Sequence, residues 1–360
     1  MTKHVHGGNI YTYKNCLDFS ANCNPLGTPE SVKQAVRDSL EYMKDYPQVG
    51  YAPLKKAIAE YEGVASESVI CGNGAAELVF SLCQAVKPKK ALIPVPTFAE
   101  YEQALTSCGC EVEHVLLREE EGFSLQDSFI NWLHRDLDMV FLCNPNNPTG
   151  AIMTKEDLEE IVDVIIEKDL FVISDEIYSE LTYGSNHVSI ASFPGMKERT
   201  IVINGFSKSY AMTGWRLGYA CGPRVIMDQI LKIHQYAIMC APTTSQYAAV
   251  SALKKGDADV ERMRTAYNQR RNYLMRWFDK MGLQCFEPFG AFYVFPSIKE
   301  FGLTSEEFAT RLLQQEKVAV VPGTAFGMSG EGYVRISYAY SIEDLKEALE
   351  RVEHFINRLR

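Results

Sequence analysis

A lysine that follows a short apolar, β-branched run is badly placed for a solvated surface charge. Here Thr200-Ile201-Val202-Ile203 reads as a buried strand, and Ser207-Lys208-Ser209-Tyr210 comes just after it. An amine in that position is desolvated, gives up its proton more readily and can attack a carbonyl. Arg216, eight residues further on, offers a guanidinium fork to phosphate oxygens, and Ser207 adds a hydroxyl. Together they point to an aldehyde cofactor that carries a phosphate. A lone Lys-Arg pair is more often a basic loop capping a strand, so the assignment depends on what else the chain holds.

Other segments supply chemistry of the same kind. In Cys71-Gly72-Asn73-Gly74-Ala75-Ala76-Glu77 a strand turns into a helix through small residues. Backbone amides there can approach an anion at the helix N-terminus, although glycine turns before helices are common. No glycine stands three residues after Gly74, so the dinucleotide-binding spacing is not met. Asn144-Pro145-Asn146-Asn147-Pro148-Thr149-Gly150 is either a rigid turn or a frame that presents a fixed amide to a ligand hydroxyl or phenolate. Asp175, in Ser174-Asp175-Glu176-Ile177-Tyr178, ends another strand, where a carboxylate is costly to desolvate unless it faces a cation. A protonated pyridine nitrogen is such a cation, and Tyr178 stands three residues further on. Arg335 is a charge inside the strand-like run Tyr333-Val334-Arg335-Ile336-Ser337, expensive unless paired.

The elements that must carry these residues alternate. Strands are expected at Val69-Ile70, Ala91 to Val95, Met139 to Cys143, Leu170 to Ser174, Thr200 to Asn204 and Gly218 to Cys221. Helices fit Ala75 to Ala85, Phe98 to Ser107, Lys155 to Lys168 and Arg224 to Ile238, after two N-terminal helices, from Thr28 to Met43 and from Ala52 to Tyr61. Strands separated by helices imply an α/β fold with a mostly parallel sheet covered on both faces, and ligands bind beyond the carboxyl ends of such strands. After a long helix from Asp257 to Met281 the pattern becomes α+β, with strands at Phe292 to Phe295, Val318 to Val321 and Tyr333 to Ser337 and a last helix from Ile342 to Arg360.

At 360 residues a large domain plus a smaller one is expected: an N-terminal segment at 1–45 joining the small domain, a large domain at 46–250, and a small α+β domain at 251–360. The net charge of −10 argues against nucleic acid or an anionic membrane as partner. No apolar run is long enough to cross a bilayer, and the first residues lack the apolar core of a signal peptide. Ten scattered cysteines, with Cys108 and Cys110 lacking a second pair at ligand spacing, favour reduced thiols in the cytoplasm over disulfides or a metal.

In their order along the chain, these motifs closely resemble those of fold-type I aminotransferases of class I/II that use pyridoxal 5′-phosphate (PLP). The resemblance runs from about Asn22 to Arg335. It implies a seven-stranded-type sheet sandwiched by helices, a homodimer with shared active sites, and transfer of an amino group between an amino acid and a 2-oxo acid through a Lys208 aldimine. By the same resemblance, Ser207, Arg216, the amides of Gly74, Ala75 and Ala76, and Tyr46 of the neighbouring subunit would hold the phosphate. Phe98 would stack on the ring, Asn147 and Tyr178 would meet its oxygen, and Asp175 would face its nitrogen. Arg335, with Asn22 beside it, would grip the substrate carboxylate, and Lys208 would move the Cα proton.

Two branches of that family compete. His6-Gly7-Gly8-Asn9 and Asp18-Phe19-Ser20-Ala21-Asn22, followed by Asn24-Pro25-Leu26-Gly27, look like the start of threonine-phosphate decarboxylases, which share their fold with histidinol-phosphate aminotransferases. Val320-Val321-Pro322-Gly323-Thr324-Ala325-Phe326-Gly327 is the loop type of ordinary amino-acid aminotransferases and holds no arginine for a substrate phosphate. The expectation is an aminotransferase, with the decarboxylase as alternative. A PLP-binding sensor fused to a DNA-binding module is disfavoured by the acidic charge.

Overall fold

A computed structural model describes residues 13, 15–48, 50–134 and 136–360. The His6-Gly7-Gly8-Asn9 motif lies outside the described residues. The chain begins with a short strand, β1 (Leu17–Asp18), and two helices, α1 (Glu30–Ser39) and α2 (Ala52–Glu62). The alternating region follows: β2 (Val69–Gly72), α3 (Ala75–Val86), β3 (Lys90–Val95), α4 (Glu100–Ser107), β4 (Glu111–Leu116), β5 (Met139–Cys143), α5 (Lys155–Lys168), β6 (Phe171–Asp175), β7 (Thr200–Gly205), β8 (Gly218–Cys221) and α6 (Arg224–Ala237).

These strands form one seven-stranded sheet in the order β2-β8-β7-β6-β5-β3-β4. Only β8 runs against the rest, antiparallel to both β7 and β2. Alternate residues of the central strands leave for opposite faces, as a pleated strand requires. Ile201 and Ile203 pack with α3, α4 and α6, whereas Val202 packs with α2 and the helix α7 (Thr243–Lys255). Likewise Val140 and Leu142 meet α5 while Met139 and Phe141 face the other way. Covered on both sides, such strands read as continuous apolar runs, which is why β5 and β8 fall where the sequence puts them.

The rest is smaller and mixed. After α8 (Asp257–Met281) come β9 (Tyr293–Val294), α9 (Ser305–Glu316), β10 (Val318–Ala319), β11 (Val321–Pro322), β12 (Val334–Ser337) and α10 (Ile342–Leu359). β12 lies between β11 and β9, antiparallel to both. β1 pairs in parallel with β10, tying the N-terminal segment to this part of the chain. The strand expected at Val318 to Val321 is two short ones, and that at Phe292 to Phe295 keeps ladder bonds only at Tyr293 and Val294. Among the described residues no helix is long and apolar enough to cross a membrane.

Candidate active site

The residues singled out for chemistry gather at one edge of the large sheet, where β2, β5, β6 and β7 end. The reversal of β8 brings a further segment there. Gly218, its first residue, is opposite both Gly205 at the end of β7 and Gly72 at the end of β2. Arg216, two residues earlier, therefore stands at the carboxyl edge although it precedes its strand. An arginine before a parallel strand would lie at the opposite edge.

Asp175 ends β6 and is almost fully buried. Its Oδ2 accepts the Tyr101 hydroxyl at 2.5 Å, and its Oδ1 accepts the Ile177 amide at 3.1 Å. Burial pushes its carboxyl up to about 6, against the pull of those two donors. On the next strand, past the end of β7, Lys208 moves the other way. Burial of its amine, with Arg335 and Arg216 nearby, brings it down to about 8, although Asp175 favours the charged form. Its Nζ is 5.8 Å from the centre of the Phe292 ring. Among the described residues Lys208 forms no ion pair.

The Asn-Pro loop after β5 is rigid for a visible reason. Asn144 Oδ1 accepts the Met153 amide at 2.9 Å, and Asn146 Oδ1 accepts both the Thr149 amide at 3.1 Å and its hydroxyl at 2.8 Å. Asn147 is left to face outward from the loop, and its Oδ1 accepts Arg335 Nη1 at 2.8 Å. Arg335 sits buried on β12. It gives Nη2 to the Ser20 carbonyl at 3.2 Å, stacks over Tyr293 and Phe326 at 4.4 and 4.9 Å, and has a buried Nε with no acceptor. No carboxylate pairs with it among the described residues. Tyr178 Oη shares a 2.6 Å hydrogen bond with Tyr293 Oη, so Asn147, Arg335, Tyr293 and Tyr178 are neighbours.

The other end of the site is open. Arg216 is exposed and in the left-handed region at φ 51°, with its Nη1 on the Thr213 carbonyl at 2.9 Å. Thr213 in turn gives its hydroxyl to the Ser207 carbonyl at 3.0 Å. Gly74, at φ 91°, precedes the first turn of α3, and a Cβ there would fall 2.8 Å from Arg216 Nη2. Only glycine lets the guanidinium lie over that turn. No side chain caps α3, so the amides of Ala75 and Ala76 stay open to an anion. Phe98 is half-buried, edge-on to Tyr101 at 5.5 Å, and Asn22 is half-buried with an unpartnered Oδ1.

Tyr46 stands apart from all of these, 86% exposed. Tyr101, Phe292 and Tyr293 touch the key residues without having been marked in the sequence. Tyr101 had a legible signal, lying three residues after Phe98 on one face of the helix expected from Phe98 to Ser107, which in the structure begins at Glu100. Among the described residues no cluster of His, Cys, Asp and Glu could hold a metal ion.

Comparison with known proteins agrees with this geometry. The family described as aminotransferase class I and II matches residues 14–352. The aspartate aminotransferase of Pyrococcus abyssi is 41% identical, covering 94% of this chain and 91% of that protein. The aromatic-amino-acid aminotransferase 2 of Thermococcus litoralis is 40% identical over 91% of this chain and 88% of its own. Among solved structures, the aromatic aminotransferase of Pyrococcus horikoshii superposes with a TM-score of 0.91 at 38% identity, over 98% of this chain and 99% of that one.

Proposed function

The chain belongs to the class I and II aminotransferases, which are PLP-dependent, and from that premise we propose how its own residues divide the work. Lys208 is the residue that takes the cofactor aldehyde and moves the proton at the substrate Cα. Asp175 holds the ring nitrogen, Asn147 and Tyr178 the ring oxygen, and Phe98 one face of the ring. Arg216, Ser207 and the amides of Ala75 and Ala76 hold the phosphate, whereas the Gly74 amide, also expected there, is given to the Gly72 carbonyl at 2.8 Å; Arg335 with Asn22 takes the substrate α-carboxylate.

The residues present fit the group. An amine brought down to about 8 is available as a nucleophile near neutral pH, an acid lifted to about 6 is poised to pair with a protonated ring nitrogen, and an exposed guanidinium lies over an uncapped helix. When bound, PLP supplies an electrophilic carbon and a ring that accepts the electrons released at Cα. The protein positions and times the proton. Lys208 would be the base that moves the Cα proton, and Arg335, by holding the substrate carboxylate, would orient the Cα that reacts. Arg335 has a buried Nε without an acceptor and, among the described residues, no anionic partner, so a substrate carboxylate offsets its burial.

The observation that carries this reading is the opposed displacement of Asp175 and Lys208 at the ends of adjacent strands. Transamination of an ordinary amino acid is favoured over decarboxylation of a phosphorylated one. The named relatives are aspartate and aromatic aminotransferases, and the guanidinium groups near Lys208, Arg335 and Arg216, are both assigned already. We also read the active unit as a homodimer in which Tyr46 reaches the neighbour's phosphate. Leu40, Tyr42, Met43, Tyr46 and Tyr247 are exposed, with Tyr42 stacked on Tyr247 of α7. The test is a panel of amino donors that includes aspartate, tyrosine, phosphothreonine and histidinol phosphate. Pyridoxamine phosphate formed from aspartate or an aromatic donor supports the reading, and carbon dioxide released from phosphothreonine rejects it.

A further inference from the structure

Glu77, His234 and Tyr51 form a buried chain that the roles above leave unused. Tyr51 and His234 are both fully buried. Tyr51 Oη accepts the Ala241 amide, so its own proton is free for His234 Nε2 at 2.8 Å. With Nε2 accepting, the ring proton sits on Nδ1 and is donated to Glu77 Oε2 at 3.1 Å. The same oxygen accepts the Asn73 amide at 3.1 Å, and Oε1 accepts the Ser81 hydroxyl at 2.7 Å. Burial alone would raise the Glu77 carboxyl, but the donors from His234 and Ser81 outweigh it and hold the group below its ordinary value.

The chain grips the turn that precedes α3. A Cβ on residue 72 would lie 2.3 Å from Glu77 Oε2, so the glycine there lets the carboxylate tuck under the turn. A negative charge this close to an anion site is unfavourable by itself, and its donors are what make it tolerable. Tyr51, bulky and at φ 50°, adopts a strained backbone that its hydroxyl bonds secure. The donors run in one direction from the Ala241 amide through Tyr51 and His234 to Glu77, and the Asn73 amide donates to the same carboxylate from the turn.

We propose that Tyr51, His234 and Glu77 are positioning residues that hold the Asn73-Gly74 turn in the shape that offers the first amides of α3 to the cofactor phosphate. This rests on the reading above of Ala75, Ala76 and Arg216 as the phosphate site. The test titrates full-length apoenzyme with PLP and, separately, with pyridoxal, which lacks the phosphate, following absorbance. Tyr51→Phe and His234→Leu each weaken PLP binding about tenfold and leave pyridoxal within about twofold. His234→Gln, whose amide can both accept from Tyr51 and donate to Glu77, recovers PLP binding to within about threefold of the parent. Loss of both ligands in parallel, or of neither, overturns the proposal. Should His234→Leu fail to fold, Tyr51→Phe, which removes a single oxygen, decides the matter. Arg216→Ala separates the two readings. If it does not discriminate PLP from pyridoxal, the phosphate-site assignment falls; if it does and the relay variants do not, only the relay falls.

Discussion

The two ends of the site are built on opposite principles. Around Asp175, Lys208 and Arg335 the charged groups are buried or half-buried, and burial raises the Asp175 carboxyl and lowers the Lys208 amine. Around Arg216 and the start of α3 the donors are an exposed guanidinium and backbone amides. The dry end can change protonation state during a reaction, whereas the wet end can only hold. Losing a residue from the first should cost rate, and losing one from the second should cost retention of the cofactor.

The comparison can be broken at its strongest point first. Lys208→Ala is expected to lower kcat by more than about 10⁴-fold and to erase the visible absorption of bound cofactor, since the same amine is both anchor and base. Asp175→Asn comes next, with kcat down by about 10²–10³-fold while cofactor affinity changes less than about tenfold. Equal losses in both would place Asp175 with the holding groups. Arg335→Lys should act chiefly on KM, raising it about tenfold or more through the lost fork of donors while kcat falls less. Arg216→Ala, from the open end, should leave kcat at saturating PLP within about threefold and weaken PLP retention about tenfold.

A smaller effect sharpens the dry end without any turnover. Asp175 is held at about 6 in the fold against 3.8 ordinarily, so the folded chain binds that proton more tightly than the unfolded one. Its stabilising contribution is fully present below pH 3.8 and is lost as pH rises through 6. Apoenzyme carrying Asp175→Asn should therefore gain in Tm over the parent across that window, read by thermal scans at several pH values. A flat difference would mean that Asp175 is not shifted.

Most of the sheet was legible because its central strands are buried on both faces and read as unbroken apolar runs. The edge strand β4 was not, since Glu111-Val112-Glu113-His114 is half solvated and Lys90 pairs with Glu113 at 2.6 Å on its surface. α7 was missed because Thr243-Thr244-Ser245-Gln246 carries no apolar stripe; it is buried through small and polar residues such as Ser245, Gln246 and Ala248. α9 had a readable start in the box formed by Thr304 and Glu307, which the strands on either side overshadowed. The strand-end motifs that carry Lys208, Asp175, Asn147 and Arg216 are local in sequence, and the fold brings them to one edge of the sheet. Tyr293 and the Tyr51-His234-Glu77 chain were not legible, because their partners lie far off in sequence, Tyr51 and His234 being 183 residues apart.

The central claim is that one desolvated amine at the end of β7 carries the cofactor. Reduction of the holoenzyme with borohydride, followed by peptide mass mapping, reads it directly. The pyridoxyl mass should appear on the peptide containing Lys208 and on that lysine within it. Its appearance on any other lysine, or on none, would contradict the account.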